Sequence, residues 1–148
     1  MKGKIMTTAH DVAAYILQRT GTLSAMKLQK LVYYSQAWSL VWDDRLLFGD
    51  RIEAWANGPV VPGLYDKHRG QFSVAEWPDG NPAALDGTER ETVDLVLAAY
   101  GSLNAQSLSD LTHRESPWRD ARIGLTDSER SDREITQVSM MEYYSSLP

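Results

Sequence analysis

The sequence contains no cysteine, which excludes disulfides and thiolate metal sites and removes the thiol from the available nucleophiles. Long hydrophobic runs are missing too. The longest apolar-rich stretch, Leu28 to Trp42, is interrupted by Gln29, Lys30, Ser35, Gln36 and Ser39 and is too short to span a bilayer. The opening MKGKIMTTAHD carries two lysines with no apolar segment behind them, so no secretory signal is expected. There is no G-x-S-x-G, no Walker loop, no G-x-G-x-x-G and no internal repeat. His10, His68 and His113 stand far apart without a second histidine or carboxylate at metal-binding spacing, so they read as packing or surface histidines. No metal or other cofactor is expected, and the chain reads as cytoplasmic.

What is present suits one ordinary domain over residues 1–148. Hydrophobic residues make up 43% and charged residues 24%, the balance of a globular chain. The net charge of −5 is unevenly spread: residues 1–74 carry +3 and residues 75–148 carry −8. An acidic chain without a basic stripe is poorly suited to phosphate backbones, so nucleic acid is not an expected partner. A basic partner would suit the second half, although carboxylates that only keep the protein soluble explain the charge as well.

Helical signals dominate. Thr8 and Asp11 form a capping box ahead of Val12, Ala13, Ile16 and Leu17, and Gly21 should stop that helix. Ser24 is the expected N-cap of a second helix to Trp42, whose apolar residues surround almost its whole circumference and leave Gln29 and Gln36 as a narrow polar stripe. Such a helix belongs at the centre of the fold. Residues 45–57 read as a small β-hairpin around Gly49-Asp50. Pro62 suits the first turn of a helix from Leu64 to Arg69. Ser73 to Gly87 reads as a surface loop and the place to look for disorder. Thr88 with Glu91 suggests a second capping box, Asn104 caps a short helix to His113, and Ser116-Pro117 opens another. Ile135 before Thr136 leads into a last helix carrying Val138, Met141 and Tyr144. The expected fold is mainly α: one compact helical domain with a small β-hairpin packed on a central apolar helix.

Tyr33, Tyr34, Trp38, Trp42, Trp55 and Tyr65 fall within one third of the chain. Most must be core, but the polar tips of such rings also suit recognition surfaces. Lys27 and Lys30 occupy the first turns of the central helix, where the dipole disfavours cations; they either face an acidic partner or pair with a nearby carboxylate. The Gly58 to Pro62 turn stiffens entry into the next helix whether or not anything binds there. Asp43, Asp44, Asp50 and Glu53 are the candidates for a carboxylate pair assembled in space.

Three blocks then carry a resemblance: KLQKL, YY and QAW between Lys27 and Trp38; EAW, NGPVVP and LY between Glu53 and Tyr65; and H, SPW and AR between His113 and Arg122. In order and spacing they resemble the SocA-like or Panacea antitoxin domain, also known as the GepA-like phage-associated family. The resemblance implies a mostly helical bacterial or prophage domain, encoded beside diverse toxins and neutralising them by direct binding, with no established catalytic residues. Some relatives act instead as adaptors delivering a toxin to a ClpXP-type protease. With no catalytic residues to carry over, the matching positions, among them Gln29, Trp38, Gly58 and Pro59, are expected to define the fold more than the toxin contact. The expected reading is therefore a non-enzymatic antitoxin whose partner is a cognate protein toxin. Trp55, Val60, Val61 and Tyr65 are the anchoring residues, Lys27 and Lys30 add charge, and the Trp77 to Gly87 loop is a place where partner choice can reside. A carboxylate-dependent hydrolase is the rival, and a promoter-binding regulator ranks below it. Oligomeric state is not encoded in any of these features.

Overall fold

A computed structural model describes residues 5–148; Lys2 and Lys4 of the N-terminal reading lie outside the described residues. Helix α1 (Ala9–Thr20) is followed by strand β1 (Leu23–Ser24) and helix α2 (Ala25–Trp42). The Thr8–Asp11 capping box closes in both directions, and Asp50 accepts from Ala9 N at 3.0 Å. Gly21 terminates α1 at φ 77°, where a side chain would be strained. Ser24 caps α2 by accepting from Lys27 N.

Strands β2 (Glu53–Trp55) and β3 (Gly58–Val60) form a hairpin that leads into α3 (Pro62–His68). Strand β4 (Ser73–Val74) returns antiparallel to β1, and a 3₁₀ turn at Pro82–Ala84 precedes α4 (Gly87–Tyr100), α5 (Ala105–Arg114), α6 (Ser116–Ala121) and α7 (Gln137–Ser145). The fold is mainly α. Helix α2 packs against α1, α4, α5, α7 and β3, and its buried residues occur on every side of the helix. One apolar cluster draws in Val12 and Ile16, Leu28, Leu31 and Val32, Val93 and Val96, Leu108, Trp118, and Met140 with Tyr144.

A helix buried all round must satisfy its polar side chains internally, and the two glutamines do so in the same way. Gln36 accepts from Leu47 N at 2.8 Å and donates to Phe48 O at 2.6 Å. Gln29 accepts from Val61 N at 2.9 Å and donates to Val61 O at 3.3 Å. Each amide thus replaces a strand neighbour for a segment crossing α2.

That substitution explains why the hairpin lies later than the sequence suggests. Glu53–Trp55 pairs with Gly58–Val60 across Ala56-Asn57, whereas Leu47 and Phe48 are fully buried and their backbone is held by Gln36. The second capping box also shifts. Asp86 and Glu89 close it, because Glu89 also accepts from Thr7 and ties this helix start to the N-terminal segment. Helix α6 starts at Ser116 with Glu115 in the cap position, but the Glu115 side chain turns inward to two tyrosines.

The segment from Ser73 to Gly87 is fastened down. Trp77 Nε1 donates to His10 Nδ1 at 3.0 Å and Asn81 N to Asp11 at 2.8 Å. Gly80 lies so close to the start of α1 that a Cβ there would collide with the His10 carbonyl. Trp77 and Leu85 are buried. In α7, Met140 and Tyr144 turn inward while Val138 is 65% exposed, so Val138 does not join the apolar face expected of it. Among the described residues no helix is long and apolar enough to cross a membrane.

Candidate functional site

A cleft of about 780 Å³ opens between the first turns of α2, the β2–β3 hairpin, α3 and residues 130–132. Its size is that of a pocket for one ligand or for a partner's protruding side chains. One wall is aromatic: Trp55 and Tyr65 meet edge to face with centroids 4.9 Å apart, and Tyr65 meets His68 in the same manner at 5.4 Å. Trp55 and Tyr65 are only half-buried, while Val60 is 8% exposed.

The wall is rigid because each element is pinned by its backbone. Gln29 uses one amide hydrogen on Val61 O and the other on His68 Nε2 at 3.0 Å. Burial lowers the His68 pKa, keeping the ring neutral so that this nitrogen can accept. Behind the hairpin, Trp118 Nε1 donates to Trp55 O at 2.8 Å, Arg122 to Ala54 O at 2.9 Å and Ser109 to Asn57 O at 2.8 Å. In front, Arg51 joins Glu53 at 2.9 Å to Asp132 O at 2.8 Å, holding residues 132–134 along β2. Ala54 N also donates to Arg133 O at 2.8 Å. The Trp55 indole N–H is satisfied by Glu53 at 2.9 Å.

Lys30 forms part of the floor. It is 1% exposed and, among the described residues, makes no hydrogen bond or ion pair. Burial alone brings its pKa down from 10.5 to about 8. Its stem crosses Gly58, which has a φ of 125°; a Cβ there would fall 2.6 Å from Lys30 Cε and 3.2 Å from Nζ. The Asn-Gly-Pro block is thus shaped by backbone conformation and by the lysine lying on it. Behind Lys30, His113 stacks flat on Trp118 at 3.9 Å, and its Nε2 is buried without a partner. Desolvation, and then the Lys30 charge, push the His113 pKa down.

The structure therefore brings Trp55, Val60, Tyr65 and Lys30 to one cleft, with Gln29 beside them. It removes two expected residues from it. Val61 is 1% exposed in the core, with its backbone clasped by Gln29, so its side chain is closed to a partner. Lys27 points toward the end of α4 and donates to Gly101 O at 2.6 Å. Its position in the first turn of α2 is compensated by that carbonyl rather than by a carboxylate. Trp38 lies across the helix from the cleft, bonded to the Tyr100 hydroxyl at 2.9 Å and stacked on Trp42.

The carboxylates of the rival reading stay dispersed. Asp43 accepts from Thr92 at 2.6 Å, Asp50 from α1, and Glu53 from Arg51 and Trp55. Asp44 occupies a turn at φ 50°. Among the described residues no group of three or more histidines and carboxylates is placed to hold a metal. Met26, His68 and Arg69 also line the cleft, as do Arg130 to Asp132; the last three come from a stretch with no periodic signal, and only their tertiary position reveals them.

With this geometry in view, the convergence of the three sequence blocks is decisive, and a family model supplies the name. The model for "Antitoxin SocA-like, Panacea domain" matches residues 28–119. The chain belongs to this family. The matched span of the Panacea domain runs from α2 into α6 and contains Lys30, the hairpin, α3 and the Trp118 brace, while residues 130–132 of the cleft fall beyond it. Membership suggests a non-enzymatic role and, in general terms, a toxin as partner. No curated protein and no solved structure matches the chain.

Proposed function

We propose that this Panacea domain neutralises a cognate protein toxin in the bacterial cytoplasm by direct, stoichiometric contact, and that the Trp55–Tyr65 cleft is its docking surface. The observation carrying the reading is an aromatic wall that is half-exposed yet fixed from behind and from the front. Trp and Tyr held in this way lose little conformational entropy on binding and are the residue types that dominate interface energetics. An interface of ordinary size, about 800 Å² per partner, would cover the cleft and its rim. The family supports a toxin as partner. The dispersal of Asp43, Asp50 and Glu53 among separate structural contacts speaks against a carboxylate-dependent hydrolase.

The test is co-expression with the product of the adjacent reading frame, scoring growth and co-purification for the wild type and for Trp55→Ala and Tyr65→Ala. Rescue with a stable complex, lost in both folded variants, is the expected result. Rescue accompanied by disappearance of the partner would replace inhibition with protease delivery. A neighbour harmless on its own, or undiminished rescue by both variants, would overturn the reading.

A further inference from the structure

Lys30 is set apart from the other cations of the cleft by what it lacks. Arg69 lies over the Tyr65 ring at 5.8 Å, and both Arg69 and Arg130 are exposed to water. Lys30 is 1% exposed and has no acceptor among the described residues. The side chain is buried but for the ammonium tip, which opens on the cleft, and a charge this little exposed is costly unless it is paired. The side on which the ammonium can still meet an acceptor is the cleft side, and an anion there would complete its pairing.

The surrounding charges agree. Lys30, Arg69 and Arg130 line the cleft against Glu53 and Asp132, so with neutral histidines this region is net positive in a chain of net charge −5. Glu53 is already engaged by Arg51 and Trp55. Gln29 is consumed by Val61 and His68. Among the described residues His113 Nε2 is the buried side-chain atom left without a partner, and the Lys30 charge helps to keep that ring neutral. The aromatic wall beside Lys30 suits a peptide segment, in which a carboxylate side chain can reach the floor while its neighbours lie on Trp55 and Tyr65.

We propose that Lys30 is the seat for an acidic side chain of the partner protein, inserted past Trp55 and Tyr65 to form a buried ion pair that exists only in the complex. This inference rests on the docking surface proposed above. It assigns the cleft a recognition chemistry: a partner loop or terminus presenting Asp or Glu next to apolar residues. Gly58 is part of the seat, because any side chain there would displace the lysine stem.

The experiment measures the affinity of the purified protein for the adjacent gene product by calorimetry, for the wild type, Lys30→Met, Lys30→Arg and Trp55→Ala, each with its melting temperature. A charge-assisted contact predicts that Lys30→Met weakens binding roughly 10- to 100-fold while melting higher than the wild type. Affinity of the wild type should fall as pH rises from 7 to 9.5, and that of Lys30→Met should stay flat across the same range. The charged and titratable groups that line the cleft with Lys30 are Glu53 of β2, His68 and Arg69 at the end of α3, and Arg130 and Asp132, with His113 of α5 close enough to feel the lysine charge. The two histidines have pKa values lowered by burial and stay neutral across that range. Unchanged binding by Lys30→Met with binding lost by Trp55→Ala would overturn the carboxylate seat and leave the docking surface standing. Unchanged binding by both variants would remove the surface itself. A Lys30→Met protein that melts lower would make the lysine structural and overturn the proposal. So would Lys30-dependent stabilisation by 20 mM sodium phosphate with partner affinity unaffected by the substitution, since the anion would then be a free one.

Discussion

Glu115 and Lys30 are both charged side chains buried around α2, and the fold provides for them in opposite ways. One Glu115 oxygen accepts from Tyr34 and Tyr144, each at 2.7 Å, and the Tyr144 hydroxyl is 3.0 Å from that of Tyr33. Tyr34 also stacks on Tyr100 at 4.0 Å. Burial pushes the Glu115 pKa up and the two hydroxyl donors pull against it. Lys30 has burial and nothing to counter it. The α7 side of α2 is thus complete on folding, whereas the cleft side carries a charge with no protein acceptor among the described residues. A local rule broken with no internal compensation is where function is expected to lie.

Removing Glu115 should have the largest effect. Glu115→Leu leaves two buried hydroxyls without their acceptor and is expected to destabilise by about 3 kcal/mol in urea unfolding, since each buried donor left unsatisfied costs about 1–3 kcal/mol. Glu115→Gln keeps an acceptor oxygen and should recover most of that loss. Equal costs for the two would mean that volume, rather than hydrogen bonding, holds the cluster.

Lys30 predicts the opposite sign. A lysine that loses its proton near pH 8 instead of 10.5 destabilises the neutral-pH fold by about 3 kcal/mol, so Lys30→Met should gain stability of that order at pH 7. Its pKa is lowered by folding, so between pH 8 and 10.5 the unfolded chain binds the proton that the fold has released. Wild-type stability relative to Lys30→Met therefore rises through that window. The tyrosines act against this at higher pH. Tyr33, Tyr34 and Tyr144 have pKa values raised well above the ordinary 10, so above about pH 10 the unfolded chain ionises first and the fold loses stability. A flat difference between wild type and Lys30→Met from pH 7 to 10 would show that Lys30 is already paired in the free protein.

The two glutamines sharpen the contrast on a smaller scale. Gln36→Leu orphans Leu47 N and Phe48 O in a fully buried segment and should cost about 2 kcal/mol. Gln29→Leu should cost a similar amount but also loosen Val61 and His68 at the cleft. Only Gln29→Leu should reduce partner affinity, because Leu47 and Phe48, the residues that Gln36 holds, do not line the cleft.

The sequence made some of this legible and hid the rest for identifiable reasons. The caps at Thr8, Ser24, Asn104 and Thr136 were readable because each is a local side-chain-to-backbone contact three residues long. The hairpin lies later than local composition indicates because Leu46 to Phe48 has strand composition, yet its backbone is satisfied by a glutamine more than ten residues earlier, a contact that no local pattern carries. Gln29 and Gln36 stood out as a stripe, but their partners could not be named. The two lysines looked alike in sequence, three positions apart, and only the packing of α4 on one side and Gly58 on the other separates a solvated bond to Gly101 from a buried ammonium. Adjacency groups Val61 with Val60, but successive residues of an extended chain face opposite ways, which sends Val60 to the cleft and Val61 to the core.

The smallest expected stability change belongs to the residue on which the proposed function most depends. Trp55 is half-buried, and its indole N–H is held by Glu53, a neighbour that also keeps Arg51. Its backbone carbonyl, rather than its ring, ties the hairpin to Trp118. Trp55→Ala should therefore keep the hairpin and cost about 1–2 kcal/mol, less than the loss of a fully buried tryptophan. The same truncation at an interface anchor typically costs 2 kcal/mol or more of binding energy. Measuring both on one variant separates a wall built for the fold from one built for a partner. A Trp55→Ala protein destabilised by several kcal/mol, with unchanged affinity per folded molecule, would place the aromatic wall on the same footing as the Glu115 cluster and leave Lys30 without a docking surface around it.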